Sequence, residues 1–308
     1  LLELIIQSEE LSGEDYAGIL DSYKKKKKYY KLSSGSFLGL EEGAGAVLGE
    51  LMEGLMLKKT DVMQDTILVP KYRAAYIDQI LRNNDGTIQA ERSKDYKAVI
   101  RDLKDVEDSD YAVPNTLYGE LRTYQKNGYR WMCTLAKLGF GGILADDMGL
   151  GKTIQTIALL LERKQEGVEA PSLIICPASL VYNWEKELKR FAPKLRVRMI
   201  VGNSEERGEQ IRSNEESDVW VTSYDMVKRD IAWYKEQAFD VEIIDEAQNI
   251  KNQGTQAAKA VKRIKSAVRF ALTGTPIENK LSELWSIFDY LMPGILGSYE
   301  TFKKTYEI

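Results

Sequence analysis

Six short apolar runs recur between residues 142 and 272, and they constrain the fold more than any other feature of the sequence. Segments with helical periodicity separate the runs, which are Gly142–Ala145, Ser172–Cys176, Val197–Val201, Val219–Val221, Val241–Ile244 and Val268–Leu272. Continuous apolar strands that alternate with helices are typical of a parallel sheet buried on both faces. The sequence therefore predicts an α/β fold in which helices cover both faces of a parallel sheet.

The chain before this region has a different character. An acid-rich stretch, Asp102–Asp110, is followed by Pro114, and this composition is typical of a domain boundary. We expect a small α+β accessory domain over residues 1–112 and the α/β domain over residues 113–308. Within the first, the pattern predicts a hairpin and two helices, at 28–32 with 36–40, at 44–59 and at 74–83.

Composition excludes several kinds of chemistry. The chain has no histidine, which removes histidine general bases, Ser–His and Cys–His nucleophile pairs, and histidine metal sites. Cys133 and Cys176 are too few for a zinc site or a disulfide framework, so we expect buried thiols and a reducing, cytoplasmic compartment. No apolar run reaches the ~18 residues that cross a bilayer. A net charge of -4 excludes a globally basic nucleic-acid coat, so any nucleic-acid surface must be local.

A glycine loop follows the first apolar run. Residues 146–153 read DDMGLGKT and precede an amphipathic helix. In this order of strand, loop and helix, glycines let backbone N–H groups turn towards a phosphate. We expect Lys152 to reach the β and γ phosphates of a nucleotide and the Thr153 hydroxyl to ligate Mg²⁺. Asp146 stands where the strict pattern has its first glycine, so this loop alone leaves a chance glycine-rich turn as an alternative.

Two adjacent carboxylates, Asp245 and Glu246, end the fifth apolar run. Without a ligand, two carboxylates at the tip of a buried strand would repel each other and lose hydration. A bound Mg²⁺ would compensate both costs. We expect Asp245 to hold the metal through water and Glu246 to orient and deprotonate the attacking water. Ligands bind beyond the carboxyl ends of parallel strands, so both motifs should meet there.

Further motifs stand in a fixed order along the chain. They are Leu121–Gln125 with Gly128 and Trp131, Ile143–Gln155, Pro177–Leu180 with Asn183 and Trp184, Thr222–Tyr224, Asp245–Gln248, and Leu272–Asn279 with Leu284 and Trp285. Over residues 115–300 this set resembles the SWI/SNF-type DNA-dependent ATPases of helicase superfamily two. The block before residue 110 resembles, more weakly, the accessory domain that precedes the motor in bacterial members.

The resemblance implies a RecA-like P-loop lobe of a motor that uses ATP and Mg²⁺ to move along double-stranded DNA. It implies catalysis by Glu246, Asp245 and Lys152, with Thr153 and Asp245 at the metal. It implies nucleotide contacts from Gln125, Arg122, Gly149, Leu150, Gly151, Lys152, Thr153 and Gln248. It implies DNA contacts from Pro177, Ala178, Ser179, Thr222 and Ser223. It implies coupling of hydrolysis to movement through Thr273, Gly274 and Thr275.

Several of these residues keep ordinary structural alternatives. Gln125 is either an adenine contact or an exposed helical glutamine, and we favour the contact. The hydroxyls of Ser179, Thr222 and Ser223 are as easily explained as helix caps. Trp184 and Trp285 are expected in the core, like most tryptophans at helical spacing. The cluster Lys24–Lys28, next to two tyrosines, is either a DNA-contact stripe or a solvated strand edge, and we favour the second.

Two departures from the family pattern affect the expected chemistry. Gln248 stands where many relatives have histidine, and it can bridge the γ-phosphate region to the Thr273 segment by hydrogen bonds but cannot titrate. Nothing after Pro276 resembles the later motifs, so we expect the second RecA-like lobe and its arginine finger to be absent and hydrolysis to need them. The chain also begins without Met in an apolar segment, and we expect further residues upstream.

Two other function classes remain open from the residues alone. A P-loop NTPase of another class would explain Lys152 and Asp245 but not the segments around Gln125 and Thr273. A nucleotide-dependent docking module would bind a protein partner through residues 1–112. The favoured interpretation predicts a monomeric, cytoplasmic DNA translocase lobe that makes no contact with a membrane.

Overall fold

The computed structural model describes residues 1–104, 111–278 and 280–307, and these form two compact units. The first contains residues 1–104 and 294–305, and the second contains the described residues of 111–293 with 306–307. The boundary predicted at 112/113 stays a prediction, because most of the acid-rich stretch, residues 105–110, lies outside the described residues.

The first unit mixes short strands with helices. Its strands are β1 (Leu2–Leu4), β2 (Tyr29–Lys31), β3 (Phe37–Gly39) and β4 (Ile67–Val69). Strands β1 and β4 pair antiparallel, and β2 and β3 form the predicted hairpin. Its helices are α1 (Gly13–Lys24), α2 (Gly43–Gly54), α3 (Lys59–Val62), α4 (Ala74–Asn83) and α5 (Lys94–Lys104). This is the expected small α+β arrangement.

One helix prediction in this unit needs correction, and helices α1, α3 and α5 were not predicted. The helix predicted over 44–59 ends at Gly54, because Met56 takes a left-handed backbone conformation with φ of 55° that stops the helix. Helix α1 was missed, although its signals are present: Ser12 and Asp15 form a capping box, and Ile19 and Leu20 are buried. The helix predicted over 74–83 is confirmed.

The lysine cluster at residues 24–28 is partly neutralised by neighbours in the same unit. Lys25 pairs with Asp21 at 2.7 Å and Lys28 with Glu41 at 3.7 Å; Asp21 is half-buried and the other three side chains are well exposed. Such exposed pairs contribute little to stability. The lysines are exposed, as the favoured interpretation expects, but they lie at the end of α1 and in the turn before β2 and not on a strand edge.

The second unit is built on a six-stranded sheet in which every pairing is parallel. Its strands are β5 (Gly142–Leu144), β6 (Ser172–Cys176), β7 (Val197–Met199), β8 (Val219–Ser223), β9 (Ala238–Asp245) and β10 (Lys265–Leu272). Their order across the sheet is β5-β10-β9-β6-β8-β7. All six predicted strands are present, and the α/β prediction is confirmed.

Helices connect these strands, as parallel pairing requires. The connecting helices are α7 (Lys152–Gln165), α8 (Val181–Phe191), α9 (Ser204–Arg212), α10 (Tyr224–Tyr234) and α11 (Gln256–Val261). Helix α6 (Thr123–Leu138) precedes the sheet, and α12 (Leu281–Leu291) and α13 (Tyr299–Tyr306) follow it. Strands β6 and β8 are buried along their whole length, which explains their continuous apolar sequences. Among the described residues, no helix is both long and apolar enough to cross a membrane.

The strand register brings three loops to one edge of the sheet. Leu272, the last residue of β10, lies beside Leu144 at the end of β5 and beside Asp245 at the end of β9. The loops that follow β5, β9 and β10 therefore begin at the same level. These loops carry the glycine loop, the two carboxylates and the Thr273 segment.

Both cysteines are buried and free, as expected. Burial raises the pKa of the Cys133 thiol and of the Cys176 thiol to about 12, so both stay protonated at neutral pH. They act as small apolar core residues.

Candidate nucleotide-binding site

The loop between β5 and α7 owes its shape to two glycines. Gly149 and Gly151 have φ angles of 82° and 80°, in the left-handed region that favours glycine. Lys152 begins α7, and its ammonium donates to the backbone carbonyl oxygens of Asp146 at 2.7 Å and Asp147 at 3.1 Å. The loop therefore wraps around the lysine that the sequence assigns to phosphate binding. Thr153, the next residue, is half-buried in the first turn of the helix.

Gln125 joins this loop to the start of α6. Its side chain is buried, its Oε1 accepts from the Arg122 backbone N–H at 2.8 Å, and its Nε2 donates to the Leu150 carbonyl at 3.0 Å. Tyr124 donates its hydroxyl to the same carbonyl at 3.0 Å. The exposed helical glutamine considered as an alternative is therefore wrong. Arg122 itself is exposed beside the loop, and the adenine contact of Gln125 stays a prediction.

Sequence reasoning missed the role of Gln155. This fully buried side chain donates its Nε2 to Asp146 Oδ2 at 2.8 Å and so holds the residue that replaces the first glycine of the strict loop pattern. Its amide also lies against Gly128 on α6, where an added Cβ would meet Gln155 Oε1 at 2.0 Å. The signal was the polar residue three positions after Lys152, on a helix face that is otherwise apolar.

Asp245 is held from three sides at the end of β9. Its Oδ2 accepts from the Trp184 indole N–H at 2.9 Å, its Oδ1 accepts from the Glu246 backbone N–H at 2.9 Å, and its carbonyl accepts from the Tyr224 hydroxyl at 2.8 Å. Burial raises the pKa of the Asp245 carboxyl, although the bonds from Trp184 and Glu246 and the charge of Lys152 lower it. Trp184 is in the core as predicted, but its bond to Asp245 was not foreseen.

Glu246 and Gln248 connect this site to the segment after β10. Glu246 has a left-handed backbone with φ of 52°, and its Oε2 accepts from Gln248 Nε2 at 2.7 Å. Gln248 Oε1 in turn accepts from the hydroxyl of the fully buried Thr273 at 3.3 Å. The hydrogen-bonded bridge expected from Gln248 to the Thr273 segment is present.

The rest of that segment is also ordered by hydrogen bonds. The Thr275 backbone N–H donates to Thr273 Oγ1 at 3.1 Å, and the Thr275 hydroxyl donates to Glu278 Oε1 at 2.9 Å. Gly274 lies between them and is partly exposed. Asn279, the end of the predicted motif, lies outside the described residues.

The residues expected at DNA divide into exposed and buried groups. Ala178 and Ser179 are exposed on a single 3₁₀ turn after β6, with Pro177 partly exposed before them. Ser223 is buried, and its hydroxyl caps α10 by accepting from the Met226 N–H at 3.4 Å. Thr222 needs correction, because its side chain is fully buried and donates to the Ile200 carbonyl at 3.1 Å. That hydroxyl is therefore not available for a phosphate contact.

Family models match both parts of the chain. A model described as SNF2-related domain matches residues 124–308, and one described as bacterial SNF2 helicase associated matches residues 1–114. The chain belongs to the SNF2 family. Its second unit is the SNF2-related domain and has the RecA-like fold, and a P-loop NTPase of another class is not favoured.

Several SNF2 relatives are similar over this lobe. The putative ATP-dependent helicase/translocase YwqA of Bacillus subtilis is 43% identical over 222 residues, which is 71% of this chain and 24% of the relative. Helicase ssl-1 of Caenorhabditis elegans is 44% identical over 195 residues, which is 62% of this chain and 8% of the relative. The chain thus spans a quarter or less of the length of these relatives.

A solved structure agrees with the fold. The Sulfolobus solfataricus SWI2/SNF2 ATPase core in complex with dsDNA has a TM-score of 0.58 and 48% identity. The match covers 63% of this chain and 41% of that one. A second solved structure, the Sulfolobus solfataricus SWI2/SNF2 ATPase core domain, matches with a TM-score of 0.57 and 48% identity, over 64% of this chain and 40% of that one.

The donor set of this SNF2 lobe fits Mg²⁺ bound together with a nucleotide. Mg²⁺ prefers oxygen ligands and is usually held by one or two carboxylates, substrate phosphates and several waters. Asp245 and Thr153 offer a carboxylate and a hydroxyl. The described residues contain no cluster of three or more acidic, histidine or cysteine side chains placed to hold a metal without such help. A metal that arrives with the nucleotide is consistent with this arrangement.

Proposed function

We propose that this chain is the ATP-binding lobe of an ATP-driven translocase on double-stranded DNA, and that the whole protein hydrolyses ATP. One observation supports this most strongly. Three adjacent strands end at the same level, and their loops carry the Lys152 cradle, the Asp245–Glu246 pair and Thr273, with Gln248 hydrogen-bonded between the last two. A phosphate cradle, a metal carboxylate and a candidate base are thereby grouped at one edge.

Each side chain has a role in this proposal. Lys152 exchanges its bonds to the Asp146 and Asp147 carbonyls for the β and γ phosphates, while Gly149, Leu150 and Gly151 turn their N–H groups to the same oxygens. Gln125 and Arg122 contact the adenine side of the nucleotide. Asp245, through water, and Thr153 hold Mg²⁺, which supplies charge neutralisation at the phosphates when it is bound. Glu246 orients the attacking water and accepts its proton.

In this proposal, four residues transmit the state of the γ phosphate to the rest of the motor. They are Gln248, Thr273, Gly274 and Thr275. The amide nitrogen of Gln248 donates to Glu246 and its amide oxygen accepts from Thr273, so a change at the water site alters both hydrogen bonds. Because the Gln248 amide does not titrate, it keeps its donor and its acceptor when the pH changes, which a histidine at this position would not do.

The DNA side of the proposal rests on Pro177, Ala178 and Ser179, with Ser223 contributing through the start of α10 and not through its buried, capping hydroxyl. The solved relative named above was determined with dsDNA, and contacts to phosphates would let a motor follow a strand without reading bases. Affinity should then fall steeply with salt. The proposed protein is a cytoplasmic monomer, associated with the nucleoid if its source is bacterial, and residues 1–112 are its candidate surface for a protein partner.

We also propose that hydrolysis needs an arginine from a second lobe outside residues 1–308. An arginine finger is worth about 10³–10⁵ in rate. The chain alone should therefore bind nucleotide and hydrolyse it close to background, without response to DNA.

The decisive experiment measures ATPase activity, with and without duplex DNA, of residues 1–308 and of the whole protein. We expect DNA-stimulated turnover from the whole protein only, and loss of that turnover in Glu246→Gln. Robust, DNA-stimulated and Glu246-dependent hydrolysis by residues 1–308 alone would contradict the second-lobe requirement. Arg122 would then be the first arginine to test.

Translocation and unwinding are separated by a second assay. The whole protein should not displace a strand from a blunt duplex while it hydrolyses ATP on that duplex. Efficient displacement would assign it to the unwinding helicases.

Deleting residues 1–112 tests the docking alternative, because a motor lobe keeps nucleotide binding whereas a docking module loses its partner.

A further inference from the structure

Two aromatic side chains from different helices converge on Asp245. The indole N–H of Trp184, on α8, donates to Asp245 Oδ2 at 2.9 Å. The hydroxyl of Tyr224, on α10, donates to the Asp245 backbone carbonyl at 2.8 Å. Both side chains are buried, with 1% and 5% of their surface exposed, so their positions are set by packing. One bond fixes the carboxylate and the other fixes the main chain.

Each of these aromatics lies close in sequence to a segment that the proposed function places at DNA. The exposed turn at Ala178–Leu180 runs directly into α8, and Trp184 lies in the first turn of that helix. Tyr224 is the first residue of α10 and follows Ser223 directly. A movement of either segment therefore reaches Asp245 through one helical turn and one hydrogen bond.

The geometry at Asp245 makes the carboxylate sensitive to such a movement. Its Oδ1 is held by the Glu246 N–H and its Oδ2 by Trp184, so the plane of the carboxylate is fixed only while both bonds are made. Its carbonyl, held by Tyr224, precedes the left-handed Glu246 directly. A displaced Tyr224 would therefore shift the backbone that aims the candidate base.

We propose that Trp184 and Tyr224 are positioning residues through which bound duplex DNA sets the orientation of Asp245 and Glu246. This inference rests on the proposed function, because it assumes that the segments before α8 and α10 contact DNA. It assigns the stimulation of hydrolysis by DNA to two named hydrogen bonds within one lobe. It is separate from the Gln248–Thr273 bridge, which contains neither aromatic.

The test uses the whole protein and four conservative variants. Trp184→Phe and Tyr224→Phe remove the two donors and keep the rings. Trp220→Phe is the matched control for the first, because Trp220 is a buried indole in the same unit that donates to Ser217 Oγ at 2.6 Å. Tyr234→Phe, at a fully buried tyrosine on the same helix as Tyr224, controls for the second.

Two quantities are measured for each variant. One is the ratio of the DNA-stimulated to the basal ATPase rate. The other, which needs no turnover, is the factor by which saturating duplex DNA changes the affinity for Mg·ADP in calorimetry. Linkage requires the nucleotide to change DNA affinity by the same factor, which checks the measurement.

We expect both quantities to fall about tenfold in Trp184→Phe and in Tyr224→Phe, the size expected for a lost hydrogen bond of about 1.4 kcal/mol, and to stay near wild type in the two controls. If Trp184 only shapes the site, stimulated and basal rates fall together, the ratio is unchanged, and the inference is overturned. An unchanged ratio in Tyr224→Phe would exclude Tyr224 from this positioning role. If wild type itself shows no DNA stimulation, the proposed function fails instead.

Discussion

Replacing Gly151 by alanine should cost more stability than replacing Gly149, although both glycines have nearly the same φ angle. An alanine in the left-handed region costs about 1–2 kcal/mol. At Gly149 nothing lies within 4 Å of an added Cβ, so we expect only that cost. At Gly151 the added Cβ would meet Gln125 Nε2 at 2.4 Å and Ile154 Cγ2 at 3.3 Å.

The excess at Gly151 comes from the displaced glutamine. Gln125 cannot keep its bond to the Leu150 carbonyl when its amide is pushed away, and leaving a buried polar group unsatisfied costs about 1–3 kcal/mol. The total for Gly151→Ala is therefore about 2–5 kcal/mol. With Gln125→Ala already in place, the same change should cost only the left-handed conformation, as at Gly149.

Urea unfolding followed by tryptophan fluorescence measures these differences. All five tryptophans lie between residues 131 and 285, so the signal reports the second unit. Circular dichroism should give the same midpoint if the transition is two-state. Equal losses for the two glycine variants, or an excess at Gly151 that survives Gln125→Ala, would refute this account of the loop.

Two further predictions use single side chains. Lys152→Ala should weaken Mg·ADP binding roughly 10- to 150-fold, because charged hydrogen bonds are worth about 1.5–3 kcal/mol; equal affinities in calorimetry would remove this loop from the site. Burial raises the pKa of Asp218, but hydrogen bonds from Arg196 and Lys164 outweigh it and lower the pKa to about 2. A lowered pKa stabilises the fold above the unfolded value of 3.8 and ceases to do so as pH falls to about 2. Asp218→Asn should therefore cost about 1–2 kcal/mol at pH 7, after allowance for solvent screening, and almost nothing at pH 2; a pH-independent difference in unfolding free energy would contradict the assignment.

The strands and the site loops were readable from the sequence because buried parallel strands leave continuous apolar runs. Lys152, Asp245 and Thr273 each follow such a run closely, and the carboxyl ends of the strands bring them together. The order of strands across the sheet is not readable in this way, since it depends on which crossovers pack.

The hydrogen-bond partners of individual side chains could not be predicted from the sequence either. Burial of Trp184 was predictable from its helical spacing, but a bond to a residue 61 positions away is a product of tertiary packing. Thr222 was misjudged because a hydroxyl near a strand end looks available, whereas here the end of β8 lies beside the Ile200 carbonyl. The bond from Gln155 to Asp146 was not predicted, because the strict pattern of the glycine loop ends at Thr153.

The left-handed backbone of Glu246 costs folding stability, although the proposed function needs a glutamate at this position. Glycine is the residue best suited to a φ of 52°, and removing the side-chain strain there is worth about 1–2 kcal/mol. A selection for thermal resistance alone should therefore enrich Glu246→Gly, and under the role proposed for Glu246 that variant would melt at a higher temperature and lose ATPase turnover. A more thermally stable variant that keeps the proposed activity must therefore retain Glu246 and gain its stability at other positions.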